Sequence, residues 1–298
     1  MQFIEDPLFM SPNKDTYPPF KNGLYMEEFF LEFVKQNRLV FDKMGRQYIP
    51  VLWTNFQIED WFESRKDEMQ IILDKYIKEN PCENGYFTVV QYDDGPKLIL
   101  PENTIIYGAC TGNIPLPLIY EDRERKLIQD VVIKNYHDKS ILCSFVGTFT
   151  HDVRNKIYYY FKDSSLVKLY MRRYWSAVVE KDNQDLFRDI TIDSKFALAP
   201  RGYGRSSFRF FEIFQLGAIP IYIWDDVEWL PYKDIIDYSK ICISIHIDHL
   251  DQLENILLSI DEIKYNEMME NYRKIAYMFE LEFMCNYIMG SIDHLVHY

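Results

Sequence analysis

The sequence predicts an α/β protein, and three observations carry that prediction. Short apolar runs of strand length alternate along the chain with stretches of helical period. One stretch, residues 196–223 (FALAPRGYGRSSFRFFEIFQLGAIPIYI), reads as strand, glycine loop, helix and strand within 28 residues. The length of 298 residues exceeds what one core usually serves, and 48% apolar with 16% aromatic residues is enough to bury two.

The elements follow in order. Residues 1–22 are proline-rich and irregular. Residues 24–34 have the spacing of an amphipathic helix, 48–53 read as a strand, 59–77 as a helix, and 86–91 and 104–107 as strands. Pro115 and Pro117 stiffen a crossing, and the charged run 121–126 approaches a domain boundary, placed so that residues 1–138 form one domain and 139–298 a second. From Ile141 the pattern restarts with a strand, a helix from Asp152, a helical stretch over 166–175 and the strand–loop–helix–strand unit. A buried strand at 241–245 and a helix at 250–260 close the pattern, and 272–298 is aromatic and helical in spacing. No repeat or low-complexity tract interrupts it.

The glycine unit has the chemistry of a phosphate site. Pro200 and the pair Gly202 and Gly204 break the strand, with Tyr203 between them, and Ser206, Ser207 and Arg209 stand where the helix begins. A helix N-terminus offers unpaired N–H groups and a positive dipole end, so a phosphate there is held by backbone geometry as well as by Arg201, Arg205 or Arg209. One turn further in, Glu212 lies among Phe210, Phe211, Ile213 and Phe214. A carboxylate among such neighbours is costly without a partner, and ribose hydroxyls are suitable donors. An ion pair between Arg209 and Glu212 at i, i+3 is the alternative.

Two families use such a unit. Gly202-Tyr203-Gly204 with Ser207 is a variant of the dinucleotide fingerprint, and Asp225 and Asp226 end the next strand where a ribose-binding acid would sit. The third glycine is missing, however, and the loop carries more positive charge than that fold requires. The stretch from Pro200 through Ile223, continuing into WLPYKDIIDY, strongly resembles the exostosin family of inverting glycosyltransferases, family 47. Phe145-Val146-Gly147 followed by Asp152-Val153-Arg154-Asn155 resembles that family's glycine-ended strand and helix start, which adds Arg154 to the donor set. Residues 86–90 with Ile114-Pro115-Leu116-Pro117 form a fainter third block. The resemblance covers about 80–260, is strong over 141–245, and implies a GT-B type fold of two Rossmann-like domains facing a cleft, the final helix crossing back to the first domain.

Charge and composition narrow the partners. With 33 basic and 46 acidic side chains the net charge is −13, which argues against nucleic acid and anionic membrane surfaces. No basic region followed by an apolar core opens the chain, and no apolar run approaches the roughly 18 residues of a membrane span. Family members of animals and plants are typically anchored in the Golgi membrane, so a soluble, cytoplasmic protein without a membrane anchor is expected here. The short form and the Tyr-, Ile- and Asp-rich composition suggest a viral or microbial member acting on a surface glycan. The five cysteines, Cys82, Cys110, Cys143, Cys242 and Cys285, are scattered and read as reduced core thiols. His151, His246 and His249 lack a third partner at ligand spacing.

The expected chemistry is transfer of a sugar from a UDP-sugar to a glycan hydroxyl. Negative charge builds on the leaving diphosphate, and fixed cations stabilise that state more than the substrate. Arg154, Arg201, Arg205 and Arg209 supply them. No Asp-x-Asp occurs anywhere in the chain, so neither a divalent metal nor another cofactor is expected. An inverting reaction needs one general base. Asp93 and Asp94 lead, and Glu121, Asp122 and Asp152 follow, although Asp93-Asp94-Gly95-Pro96 is also a turn sequence. Trp224 and Trp229 are candidate sugar platforms. Family donors include UDP-linked glucuronic acid, N-acetylglucosamine, galactose, arabinose and xylose, and UDP-xylose is carried as the working donor. The alternatives are a nicotinamide-dependent oxidoreductase and a silent nucleotide-sugar-binding protein that has lost its base.

Overall fold

Apolar runs without polar alternation demand burial on both faces, and the chain meets that demand with two wholly parallel sheets. The computed structural model describes residues 3–295. The chain divides into unit 1, comprising Met1–Asp15, Leu24–Tyr120 and Glu280–Tyr298, and unit 2, comprising Thr16–Gly23 and Glu121–Phe279.

Unit 1 runs through α1 (Met26–Gln36), α2 (Arg38–Phe41), β1 (Gln47–Tyr48), α3 (Trp53–Gln57), α4 (Phe62–Glu79), β2 (Tyr86–Val90), β3 (Thr104–Gly108) and β4 (Ile114–Pro115). Its strands lie in the order β1-β2-β3-β4, all parallel. Every residue of β2 is buried, and Val90 joins Trp53, Phe56, Phe62, Met69 and Leu73 in the core. The strand predicted over 48–53 ends at Tyr48. Pro50 has no N–H for a ladder, and the chain turns into α3 at Trp53, whose indole N–H donates to Thr88 Oγ1 at 2.8 Å.

Unit 2 runs through β5 (Ile141–Thr148), α5 (Asp152–Phe161), β6 (Val167–Arg172), α6 (Lys181–Ile192), β7 (Ser194–Pro200), α7 (Phe208–Gln215), β8 (Ile219–Trp224), β9 (Ile243–His246), α8 (Leu253–Ser259) and α9 (Glu262–Ile275). The order is β6-β5-β7-β8-β9, again all parallel. Phe145, Phe196, Leu198, Ile219, Ile221, Ile223, Ile157 and Leu253 fill the space between sheet and helices. The last helix, α10 (Leu281–Leu295), packs against α1 within unit 1, where the hydroxyls of Tyr107 and Ser291 lie 2.8 Å apart. Of the helical segment predicted over 272–298, residues 296–298 lie outside the described residues. The fold is α/β of the GT-B type, each unit being Rossmann-like.

Two features differ from the sequence reading. Residues 167–172, predicted as helix, form the edge strand β6. Val167, Leu169 and Met171 pack on the core while Lys168, Tyr170 and Arg172 alternate with them, which is the period of a strand. The units also divide at Tyr120, whereas the sequence reading divides them at 138. Residues 121–138 are fastened to unit 2 by Arg188, which donates to the carbonyl oxygen of Gln129, and by an ion pair of 2.5 Å between Lys134 and Asp193.

The strand order positions the site. From β5 the chain moves to β6 on one side and then returns to β7 on the other, so the loops leaving the carboxyl ends of β5 and β7 diverge. In open parallel sheets such a switch point leaves a crevice, and ligands bind there. The loop after β5 leads into Arg154 on α5, and the loop after β7 is the glycine loop.

Candidate active site

The glycine loop of unit 2 is held from three directions. Ser207 caps α7 by accepting the Arg209 N–H at 3.4 Å, and Gly217 ends that helix with φ +75°, a conformation that favours glycine. The Tyr222 hydroxyl on β8 donates to the carbonyl oxygen of Arg205 at 2.9 Å. Buried Arg154 donates from Nε to the carbonyl oxygen of Arg201 at 2.9 Å and from Nη1 to that of Thr148 at 3.1 Å, so one side chain ties the carboxyl ends of β5 and β7 together.

The four candidate arginines fall into two pairs. Arg201 meets Asp225 at 2.7 Å and Asp226 at 3.3 Å, and donates to the carbonyl oxygen of Tyr203 at 3.0 Å. Arg205 meets Asp226 at 2.7 Å and lies over the Trp229 ring. Asp225 and Asp226, the ribose-binding acids of the dinucleotide reading, therefore latch the loop. Arg154 and Arg209 have no such partner: among the described residues neither makes an ion pair. Arg209 does not pair with Glu212. Its guanidinium rests between the rings of Phe145 and Phe187, 5.3 Å from each centroid, and its Nε lacks a hydrogen-bond partner. Burial, reinforced by the like charge of Arg209, pulls the Arg154 guanidinium down to about 9, which still leaves it cationic at neutral pH.

Two positive charges without counter-ions thus stand at a switch point and a helix N-terminus. Gly202 adjoins Arg154. Its φ lies outside the left-handed region, and a Cβ built there would lie 3.6 Å from Arg154 Nη2, an ordinary contact. Neither backbone conformation nor protein packing requires a glycine at this position. Glu212 is buried on α7, Ser206 is buried in the loop, Gly204 is buried, and Tyr203 is exposed.

The remaining candidates are placed as follows. Asp93 and Asp94 form the reverse turn after β2 in unit 1, closed by the Gly95 N–H donating to the carbonyl oxygen of Tyr92 at 3.0 Å. Asp93 is half-buried and accepts the Cys110 thiol at 3.4 Å, whereas Asp94 is exposed and lies 3.8 Å from Lys97. Glu121, Asp122 and Asp152 all belong to unit 2. Glu121 pairs with Arg123 at 2.8 Å, and Asp122 accepts the N–H groups of Lys126 and Leu127 at 2.9 and 3.0 Å. His151 caps α5, and His246 accepts the Asp248 N–H. Trp224 donates to Ser244 Oγ at 3.1 Å, and Trp229 is buried. The sequence reading did not single out Phe145 and Phe187 as supports for Arg209. Phe145 lies in the glycine-ended strand block, but nothing local marks Phe187.

Residues 111–260 match the model of the exostosin GT47 domain, half of the chain. The chain belongs to the exostosin GT47 family. An "Exostosin-1 homolog" of Caenorhabditis elegans is 27% identical over 120 residues, 38% of this chain and 31% of that protein. A "Probable glycosyltransferase" of Arabidopsis thaliana is 23% identical over 274 residues, 85% of this chain and 48% of that protein. The chain thus spans less than half the length of these relatives. The GT47 match takes in Arg154, the glycine loop and Glu212, and Asp93 and Asp94 lie upstream of it. Among the described residues no helix is long and apolar enough to cross a membrane.

Proposed function

We propose that the protein is an inverting glycosyltransferase that takes a UDP-sugar as donor and a glycan hydroxyl as acceptor. The observation that carries this reading is the pair of guanidiniums, Arg154 and Arg209, without an anionic partner at the carboxyl ends of β5 and β7. A diphosphate supplies the missing charge, and its leaving oxygen gains negative charge during transfer, so the same two cations lower the barrier. The amides at the start of α7 add donors. Buried Glu212, one turn in, receives the ribose hydroxyls. Because arginines carry the counter-charge, transfer proceeds without a divalent metal and survives EDTA. Asp93 is the general base, its half-buried carboxylate better protected from solvent than that of Asp94.

The nicotinamide reading needs a free acid at the end of β8 for a ribose. Asp225 and Asp226 both hold loop arginines, which speaks for the transferase. The donor sugar is chosen by pocket shape, with UDP-xylose the first to assay. The proposed place of action is the cytoplasm. Thermal unfolding with UDP, a panel of UDP-sugars and NADH tests the reading. UDP at 100 times its Kd stabilises by about 2.7 kcal/mol, and NADH does not. Stabilisation by NADH alone overturns it.

A further inference from the structure

The segment Thr16–Gly23 belongs to unit 2 although the rest of that unit begins almost a hundred residues later. It is pinned at both ends. The Thr16 hydroxyl donates to the carbonyl oxygen of Ala177 at 3.3 Å, the Asn22 N–H donates to that of Glu121 at 2.9 Å, and the Arg123 N–H donates to that of Asn22 at 3.1 Å. Between the pins, Pro18 and Phe20 are buried. Phe20 lies 6.2 Å from the ring of Phe187, which carries the Arg209 guanidinium. Tyr17 stands edge-on to Phe208, the first residue of α7, at 6.0 Å, and to Trp175 at 5.5 Å. The strap therefore passes the start of α7, with Tyr17 against Phe208 and Phe20 against Phe187. Tyr17 interacts electrostatically with Arg209, Glu212, Arg154 and Arg172.

We infer that Tyr17 is a donor-site residue whose hydroxyl hydrogen-bonds the phosphate held by Arg154 and Arg209, so that the strap completes a pocket for the diphosphate of a nucleotide. This rests on the reading of the arginine pair as the phosphate site. Burial raises the phenol above its ordinary value, and Glu212 adds to this, against the pull of the arginines. The hydroxyl keeps its proton at physiological pH and donates. A phenolate would instead cancel part of the charge that the site offers. Contacts with Trp175 and Phe208 fix the ring, which limits the reorganisation needed when the anion arrives.

Calorimetry on the full chain with UDP and with inorganic pyrophosphate, together with ligand-free thermal unfolding, tests the inference. Tyr17→Phe keeps the ring and its packing, and the ligand-free midpoint records separately whatever the hydroxyl contributes to the fold. Affinity for UDP and for pyrophosphate falls by the same factor, roughly 10- to 100-fold, the range for a hydrogen bond to a charged group. Tyr17→Ala weakens both at least as much. If Tyr17→Phe matches wild type for UDP, the inference is wrong and the donor-site reading stands. If UDP weakens while pyrophosphate does not, the hydroxyl serves the nucleoside and the assignment to phosphate fails. Absence of UDP binding by the wild-type protein overturns the donor-site reading and this inference together.

Discussion

The Nε of Arg154 donates to the main-chain oxygen of Arg201 at 2.9 Å, so the helix after β5 anchors the loop after β7. The same guanidinium fixes the loop and keeps Nη2 directed beside Gly202. A buried cation without a counter-ion is costly to the folded protein, and on the proposed reading the donor's diphosphate supplies the charge.

Arginine substitutions should therefore separate by pair. Arg209→Ala weakens UDP by about 1.5–3 kcal/mol, the worth of a charge-assisted hydrogen bond, and Glu212→Ala by a similar amount. Arg205→Ala acts on the latch with Asp226 and lowers stability first. Calorimetry and thermal unfolding on the three variants check the order, and equal losses of UDP affinity for Arg205→Ala and Arg209→Ala would erase the distinction.

Gly202→Ala should leave the fold within about 0.5 kcal/mol of wild type, since the position has neither a left-handed φ nor a close protein contact. UDP binding should fall by about 1–3 kcal/mol, because the methyl group occupies the ligand's space. A variant that binds UDP normally would show that nothing docks against this glycine.

Asp93→Asn should lower turnover by roughly 10²–10⁴ with UDP affinity nearly unchanged, the contribution of positioned proton transfer. Asp94→Asn, exposed beside Lys97, should leave turnover within a factor of a few of wild type. Product analysis on an accepted glycan reads both. Full turnover in Asp93→Asn would dismiss it as the base.

Glu27 gives a pH signature to stability. Its carboxylate is buried in unit 1, and burial raises its pKa to about 7 even though Gln91 N–H donates to it at 2.5 Å and the Thr54 N–H and hydroxyl each at 2.9 Å. The folded state then holds the proton more tightly than the unfolded chain. Stability contributed by this group is full below about pH 4.5 and is lost as pH rises toward 7, by up to about 3 kcal/mol. Denaturant unfolding at pH 5 and pH 8, compared between wild type and Glu27→Gln, measures it. A wild-type slope no steeper than that of the variant would refute the assignment.

Much of unit 2 is legible in the chain because its signals are local. Glycines, a capping serine and apolar runs mark β7, α7 and β8 within one short stretch. Edge strand β6 is not marked so clearly, since Lys168, Tyr170 and Arg172 dilute the apolar alternation. Helix α6 goes unannounced because it buries only Phe187 and Thr191. The separation of the four arginines into latch and unpaired cations depends on β8 bringing Asp225 and Asp226 against Arg201 and Arg205, a contact across more than 20 residues that spacing does not encode. Tyr17 is further still, joined to its neighbours only by tertiary packing.

The interleaving of the two units has a consequence for synthesis. The strap Thr16–Gly23 leaves the ribosome almost a hundred residues ahead of the rest of its unit and must wait for residues 121–279 to complete its packing. Unit 2 can close as soon as Phe279 is available, whereas unit 1, begun first, needs the segment from Glu280 onward. The nascent chain thus finishes its units in the reverse of the order in which it starts them, and the strap stays uncommitted until the rest of unit 2 has been made. Holding those ends apart adds only logarithmically to the closure entropy, so the delay falls on folding rate more than on final stability.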